Sequence, residues 1–219
     1  TRCSSPRRAV TRFVRVLPIE VQDATRNVSQ MARPVGAHLA VLMGHPARSR
    51  FDPAPALVGP YTGMNAAPVK IALVSSHGGH LTELLELAEA FAGFETFHVT
   101  YNADTTRRLA KAYLVPNRPY SAIAFARNLW RFWTIYRKER PSFIVSTGAE
   151  IAIPAFIVAK FMRIPALYIE CGCQVTRPSL TGRIVARLTH HFWVQWPELL
   201  DVHRGRAQYM GSLIDEARS

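Results

Sequence analysis

Two histidines, His77 and His80, enclose a pair of glycines in residues 69–81, VKIALVSSHGGHL. An imidazole exchanges a proton near neutral pH. Ser75, Ser76, Gly78 and Gly79 let the backbone turn tightly and approach a ligand closely. The apolar run before them has the length of a buried strand, and a helix follows. That helix aims its free N–H groups and positive dipole end at the loop, so an anion is the natural occupant. His80, in the first helical turn, has the chemistry of a general base on a hydroxyl, because a helix N-terminus favours the neutral imidazole. The structural alternative for either histidine is a helix cap or a backbone contact. The loop has neither the G-x-G-x-x-G spacing of a dinucleotide site nor the G-K-[S/T] ending of a P-loop, which counts against a generic nicotinamide or ATP site.

Three further stretches carry polar groups at strand ends or on helix faces. Thr147, Gly148 and Glu150 could hold a sugar or a phosphate, or Glu150 could be a favourable charge in the first turn of a helix. Residues 170–179, ECGCQVTRPS, form a polar loop after a buried strand, opened by Glu170, with Arg177 beside Ser179 and Thr181 as a candidate phosphate or partner contact. Cys171 and Cys173, with His190 and His191 farther on, have weak spacing for zinc, and no metal is assigned. In residues 122–139, AIAFARNLWRFWTIYRKE, the helical pitch puts Phe125, Leu129, Phe132, Trp133 and Tyr136 on one side. Arg127, Arg131 and Lys138 fall opposite, with Trp130 at the border. A sheet-covering helix with a solvated basic face is one reading. The other is contact with an anionic membrane interface through Arg127, Trp130, Arg131 and Trp133.

These loops need a scaffold that brings strand ends together. Strands are expected at 69–75, 95–101, 142–147, 166–170, 191–196 and 207–210. Helices are expected at 81–91, with Glu83, Glu86 and Glu89 facing outward, at 104–114 with Asp104 as N-cap, and at 122–139, 151–162, 179–189 and 198–203. Strands alternating with helices of this length imply right-handed crossovers and a parallel sheet. The fold class is therefore α/β: one Rossmann-like, doubly wound parallel sheet, with ligands beyond the carboxyl ends of its strands.

The chain has 219 residues, 48% of them hydrophobic, and a formal charge of +12. That is enough for one sizeable core plus an extra segment. Residues 1–63 hold nine Arg, three acids and seven of the 15 Pro, without sustained periodicity, and read as disordered. The natural start is expected at Met64, with upstream translated sequence or an Arg-rich transit peptide before it. The ordered domain then runs from 64 to 219. The basic balance suits nucleic acid, an anionic membrane or phosphate-bearing substrates. Three Cys without a secretory signal suggest a reducing compartment, with cytosol as the default. No apolar run approaches about 18 residues, so membrane contact is expected to be peripheral.

The segments SSHGGHLTELLEL, VSTGAEIAIP, YIE followed by TRPSLTGR, and FWVQWPELL followed by GSLI, in this order, resemble the PssD-like bacterial polysaccharide-biosynthesis proteins. These are related to the membrane-recruiting subunit of the split dolichol-pathway UDP-GlcNAc transferase. The resemblance covers residues 70–214. It implies the acceptor-side Rossmann half of a GT-B glycosyltransferase, with the donor-binding half on a separate chain. The end of the chain shortly after Gly211 agrees with that division. Similarity to the MurG-like glycine loop implies that Ser75, Ser76, Gly78 and Gly79 face the diphosphate of a lipid-linked acceptor and that His80 is the base. The reaction implied is inverting transfer from a UDP-sugar, a co-substrate bound mainly by the partner, with no other cofactor. Attachment at the inner face of the cell membrane is implied too. The eukaryotic relatives' N-terminal spanning helix has no counterpart in this sequence, and Cys171-Gly-Cys173 matches no family role. A noncatalytic scaffold recruiting a complete transferase is the competing function. Nucleic-acid binding is disfavoured, since no groove-reading module is present.

Overall fold

A computed structural model describes residues 69–213, apart from 92, 118–120, 190, 204 and 210. The expectations for residues 1–63 and for a start at Met64 lie outside these. The elements are β1 (Lys70–Val74), α1 (Gly79–Leu85), a 3₁₀ turn (Ala88–Phe91), β2 (Glu95–Tyr101), a second 3₁₀ turn (Thr106–Arg108) and β3 (Ala112–Val115). Then come α2 (Ala122–Glu139), β4 (Phe143–Ser146), α3 (Ala152–Phe161), β5 (Ala166–Ile169), α4 (Leu180–Val185), β6 (His191–Val194), α5 (Leu199–Val202) and β7 (Gln208–Tyr209).

The seven strands form one sheet in the order β3-β2-β1-β4-β5-β6-β7, and every pairing is parallel. This is the Rossmann-like, doubly wound arrangement that the alternation of elements predicts. Its strand order reverses between β1 and β4, where a crevice opens beyond their carboxyl ends. The strands are apolar on both faces, as a sheet covered on both sides requires. Ala72 and Val74 of β1 pack with Phe132, Tyr136, Ala155 and Phe156 beneath α2 and α3. Ile71 and Leu73 point the other way, toward Leu84, Leu87, Phe91, Phe143 and Trp193.

Two local expectations are corrected. The stretch predicted as a helix over 104–114 is a 3₁₀ turn and then strand β3. Thr106 Oγ1 donates to the Tyr101 carbonyl at 2.7 Å and accepts from Ala103 N at 2.9 Å, fixing the chain end of β2 in a tight turn. Lys111 then takes a left-handed backbone (φ 49°), which stops any helix and returns 112–115 to the edge of the sheet. The predicted helix 81–91 is divided into α1 and a 3₁₀ turn. Glu83, assigned outward, is buried at 2% exposure, whereas Glu86 is exposed.

The long helix runs over the residues predicted. Ser121 Oγ accepts from Ala124 N at its start, and Arg140 ends it in the left-handed region. Its core residues, Phe132, Ile135, Tyr136 and Glu139, all lie in its second half. Glu139 is held by Lys70 at 2.9 Å and by the Tyr113 hydroxyl.

Candidate functional site

The crevice between β1 and β4 is where the first two polar loops meet. Ser75 and Ser76 are buried at the end of β1, while His77, Gly78 and Gly79 are exposed. Gly78 has φ 80° and ψ −140°, a conformation reserved for glycine, and it precedes α1 without any side-chain cap. Space above both glycines is open: a Cβ built at either meets nothing within 4 Å. His80, half-buried, turns inward from the first turn of α1.

The β4 loop grips His80 from the other side. Thr147 Oγ1 donates to the His80 carbonyl at 2.6 Å, and His80 Nδ1 lies 3.0 Å from the Thr147 carbonyl. A carbonyl oxygen only accepts, so Nδ1 carries the hydrogen and Nε2 the lone pair. Gly148, at φ 124°, makes room for this ring: a Cβ there would stand 2.9 Å from His80 Cε1. Ser146 Oγ accepts from Gly148 N and steadies the turn. Glu150 is exposed beyond it and hydrogen-bonds the phenol of Tyr101, which burial first and the Glu150 charge second push well above its ordinary value. The ring of His77 stands edge-on to Tyr101 at 6.5 Å.

On the other side of His80 the loop after β5 is fastened by Glu83, a residue the sequence reading missed. Glu83 Oε1 accepts from Gly172 N at 2.9 Å and from Cys171 Sγ at 3.3 Å, and Oε2 accepts from Gln195 Nε2 at 3.4 Å. Burial raises the carboxyl of Glu83, opposed by these hydrogen bonds and by the nearby His80. Gln195 also donates to the Glu170 carbonyl at 3.1 Å and accepts from Leu213 N at 2.8 Å. Trp196 Nε1 donates to Gly172 O at 2.6 Å. The loops after β1, β5 and β6 therefore share one buried polar knot.

Glu170 lies under this loop with no exposed surface. Ser179 Oγ donates to Glu170 Oε1 at 2.7 Å while accepting from Gly182 N at 2.8 Å as the cap of α4. Burial raises the carboxyl of Glu170. Both residues are thus committed to holding the loop, and Arg177 at its exposed crest is left as its reachable cation. Cys171 is buried, Cys173 is exposed, and their sulfurs are 3.1 Å apart. His191 opens β6 at the opposite edge of the sheet, away from Cys171, and His190 is outside the described residues. The cysteines and His191 are not brought together. One donor atom each from His80, Glu83 and Cys171, by contrast, all lie within 4.8 Å of one another.

The aromatic helix splits in two. Among the described side chains of its first half, residues 122–131, none is buried. Trp130 is 69% exposed and Phe161 of α3 76% exposed. Together with Leu129, Trp133 and Ile157 they line a shallow surface cavity of about 430 Å³. Phe125, placed on the core side by the helical pitch, is 39% exposed, because the sheet supports only the second half of α2. Arg127 is exposed, and Arg131, half-buried, lines a separate cavity with Tyr113, Thr134 and Lys138. No helix among the described residues is long and apolar enough to cross a membrane.

A parallel sheet with its crevice at the β1/β4 reversal defines a Rossmann-like domain of the kind that forms one half of GT-B proteins. The chain is similar in fold to MurG of Acinetobacter baumannii, at 15% identity and a TM-score of 0.52, covering 60% of this chain and 43% of that one. It is also similar to a UDP-GlcNAc 2-epimerase of Methanocaldococcus jannaschii, at 9% identity and a TM-score of 0.54, covering 64% and 46%. It thus spans less than half of each of these solved structures. Within that class, the family model "Oligosaccharide biosynthesis protein Alg14 like" matches residues 105–213. The human UDP-N-acetylglucosamine transferase subunit ALG14 is 20% identical over 181 residues, 67% of this chain and 83% of the relative. The subunit of the same name from Yarrowia lipolytica is 30% identical over 122 residues, 53% and 54% respectively. The chain is thus similar to the Alg14-like proteins over these stretches.

Proposed function

We propose that this chain is the acceptor- and membrane-binding subunit of a two-component inverting glycosyltransferase. It would move a sugar from a UDP-sugar to a lipid-diphosphate-linked glycan in polysaccharide biosynthesis. The observation that carries the reading is the fixed His80 beside an open glycine loop: its Nδ1–H points at the Thr147 carbonyl, which leaves Nε2 as the proton-accepting nitrogen. The acceptor diphosphate would lie over Ser75, Ser76, Gly78 and Gly79 at the uncapped start of α1. Thr147, Gly148, Glu150 and Arg177 would border the acceptor sugar or the partner, with Glu170 and Ser179 supporting from below.

His80 Nε2 would take the proton of the acceptor hydroxyl. The oxygen attacks the anomeric carbon from the face opposite UDP, and the carbon–oxygen bond to phosphate breaks with its electron pair leaving on UDP. Glu83 would favour the imidazolium so formed. The relatives are each named a subunit, so the reaction is assigned to the chain joined to a donor-binding GT-B half. The donor would be held mainly by that half, and no resident cofactor is invoked.

Exposed Trp130 and Phe161, with Trp133 and the flanking Arg127 and Arg131, support peripheral attachment to an anionic membrane, proposed to be the inner face of the cell membrane. Because helices of a parallel sheet run back from its carboxyl edge, the exposed Ile123 and Phe125 in the first turns of α2 lie at the edge that bears His80, whereas Trp133 and Phe161, the last residue of α3, lie toward the other edge.

The same apolar patch favours one competing function, a noncatalytic scaffold that recruits a complete transferase. Co-expression decides between them. The purified chain alone should transfer nothing from UDP-sugars, and adding a donor-binding half should restore transfer that is lost in His80→Ala. Full transfer with His80→Ala, alongside loss of membrane binding on changing Trp130, would establish the scaffold instead.

A further inference from the structure

Of the clusters that the fold assembles, the one around Glu83 has a donor set unlike its surroundings: an imidazole, a carboxylate and a thiol with a second thiol beside it. We propose that His80, Glu83, Cys171 and Cys173 form a binding site for a thiophilic divalent cation, with zinc as the chemical match. Zinc prefers four N, S and O donors in a tetrahedron, and its usual bond lengths put neighbouring donor atoms roughly 3.3–3.8 Å apart. Glu83 Oε1 is 3.3 Å from Cys171 Sγ, and Cys171 Sγ is 3.1 Å from Cys173 Sγ. The His80, Glu83 and Cys171 donors span at most 4.8 Å, so drawing these three around an ion takes a shift of about 1 Å, and Cys173, outside that group and touching it through Cys171, turns in to complete the set.

The surroundings fit a metal centre as well. A metal-bound histidine commonly donates its other ring N–H to a backbone carbonyl, and a ligating carboxylate is itself hydrogen-bonded. His80 Nδ1 has the Thr147 carbonyl at 3.0 Å, and Glu83 Oε1 has Gly172 N–H at 2.9 Å. The loop that brings both sulfurs is fixed at Gly172 O by Trp196. Without metal, the Cys171 thiol donates to Glu83; on binding, both thiol protons pass to solvent and the thiolates take their place on the ion. This set is invisible to motif spacing, because it joins α1 to a loop some 90 residues away, as the Cys171–Glu83 separation of 88 records.

The site stands independently of sugar transfer. Its consequence for transfer rests on the proposed function: an ion holding the Nε2 lone pair of His80 would occupy the group needed as base, making the metal-bound form inactive.

The test uses the full chain in a Cys3→Ser background, kept reduced without added thiol. Titration with Co²⁺ should give one ion per chain, visible bands of tetrahedral intensity and a near-ultraviolet thiolate charge-transfer band. Competition against a chromophoric chelator gives the Zn²⁺ affinity. Cys171→Ser should remove half the charge-transfer intensity or more, and Glu83→Gln and His80→Ala should each weaken Zn²⁺ at least tenfold. Circular dichroism identifies variants that have unfolded, and His80→Ala, at a half-exposed ring, keeps the test available if Glu83→Gln does not fold. Absence of stoichiometric binding, or unchanged affinity in folded Cys171→Ser and His80→Ala chains, overturns the site. Zinc bound by all these criteria in a chain pair whose transfer zinc does not inhibit would keep the site and remove His80 as the base.

Discussion

Thr147 and His80 exchange two hydrogen bonds across the β1/β4 crevice, the threonine hydroxyl to the His80 carbonyl at 2.6 Å and the His80 ring to the Thr147 carbonyl at 3.0 Å. The pair fixes both the position and the tautomer of the imidazole. It joins two loops that are 67 residues apart in the chain.

His80→Ala in the assembled pair should lower transfer by a factor of about 10²–10⁴, the usual contribution of a positioned general base. Binding of the partner, followed by co-purification, should be unchanged. A turnover equal to that of the unaltered pair would remove His80 from the mechanism.

Gly148→Ala tests the seat of that ring without replacing His80. The new Cβ would lie 2.9 Å from His80 Cε1, at a backbone φ of 124° that alanine rarely adopts. Transfer should fall at least tenfold while circular dichroism shows a retained fold, and thermal melting should drop by a few degrees.

Gly182→Ala should be the most damaging alanine change of α4. Its Cβ would stand 1.9 Å from Glu170 Oε2, deep under the β5 loop. The expected cost is about 1–3 kcal/mol or more, as for overpacked cores. Because the clash is with one side chain, Glu170→Ala in the same chain should restore part of the loss. A double-mutant cycle with no coupling would contradict the contact.

Membrane contact is separable from the loop. Trp130→Ser with Phe161→Ser should release the chain from vesicles of any charge, whereas Arg127→Gln with Arg131→Gln should weaken binding only to anionic vesicles and only at low salt. Each basic residue near such a surface contributes about 1 kcal/mol. Cosedimentation reads both, and equal loss on neutral and anionic vesicles in the arginine variant would go against the proposed electrostatic part.

Acid stability should depend on Glu139. The Tyr113 hydroxyl and Lys70 hold its carboxyl down to about 2, against an ordinary value of 4.5. Its folded value is the lower one, so the stabilisation is present above pH 4.5 and is lost as the pH falls toward 2. The urea midpoint of the parent chain should therefore fall across that window more steeply than that of Glu139→Gln.

Periodicity sufficed where burial alone decided structure. Residues 122–139 alternate at helical pitch between Ser121 and the left-handed Arg140, and the helix occupies that span. It failed at 104–114, where one hydroxyl, that of Thr106, and one positive φ, at Lys111, outweighed a helical composition. It failed again at Glu83. The Glu83, Glu86, Glu89 spacing looks like a solvated stripe, but a carboxylate can be buried when backbone N–H and side-chain donors meet it, and those donors come from Gly172, Cys171 and Gln195.

The sequence by itself determined that strands and helices alternate and that polar loops, 77–80 and 147–150 among them, follow the apolar strands. These follow from local backbone preference and from hydrophobic pattern, which act over a few residues. Only the tertiary structure decided that the glycine loop meets Thr147, that Glu170 is buried support, that the first half of α2 leaves its aromatics uncovered, and that Glu83 meets Cys171. Those facts depend on strand order: β1 sits beside β4, and β5 and β6 beyond it. Hydrogen bonds and packing between loops distant along the chain have no signature in local spacing, so they exist only once the sheet has brought its strand ends together.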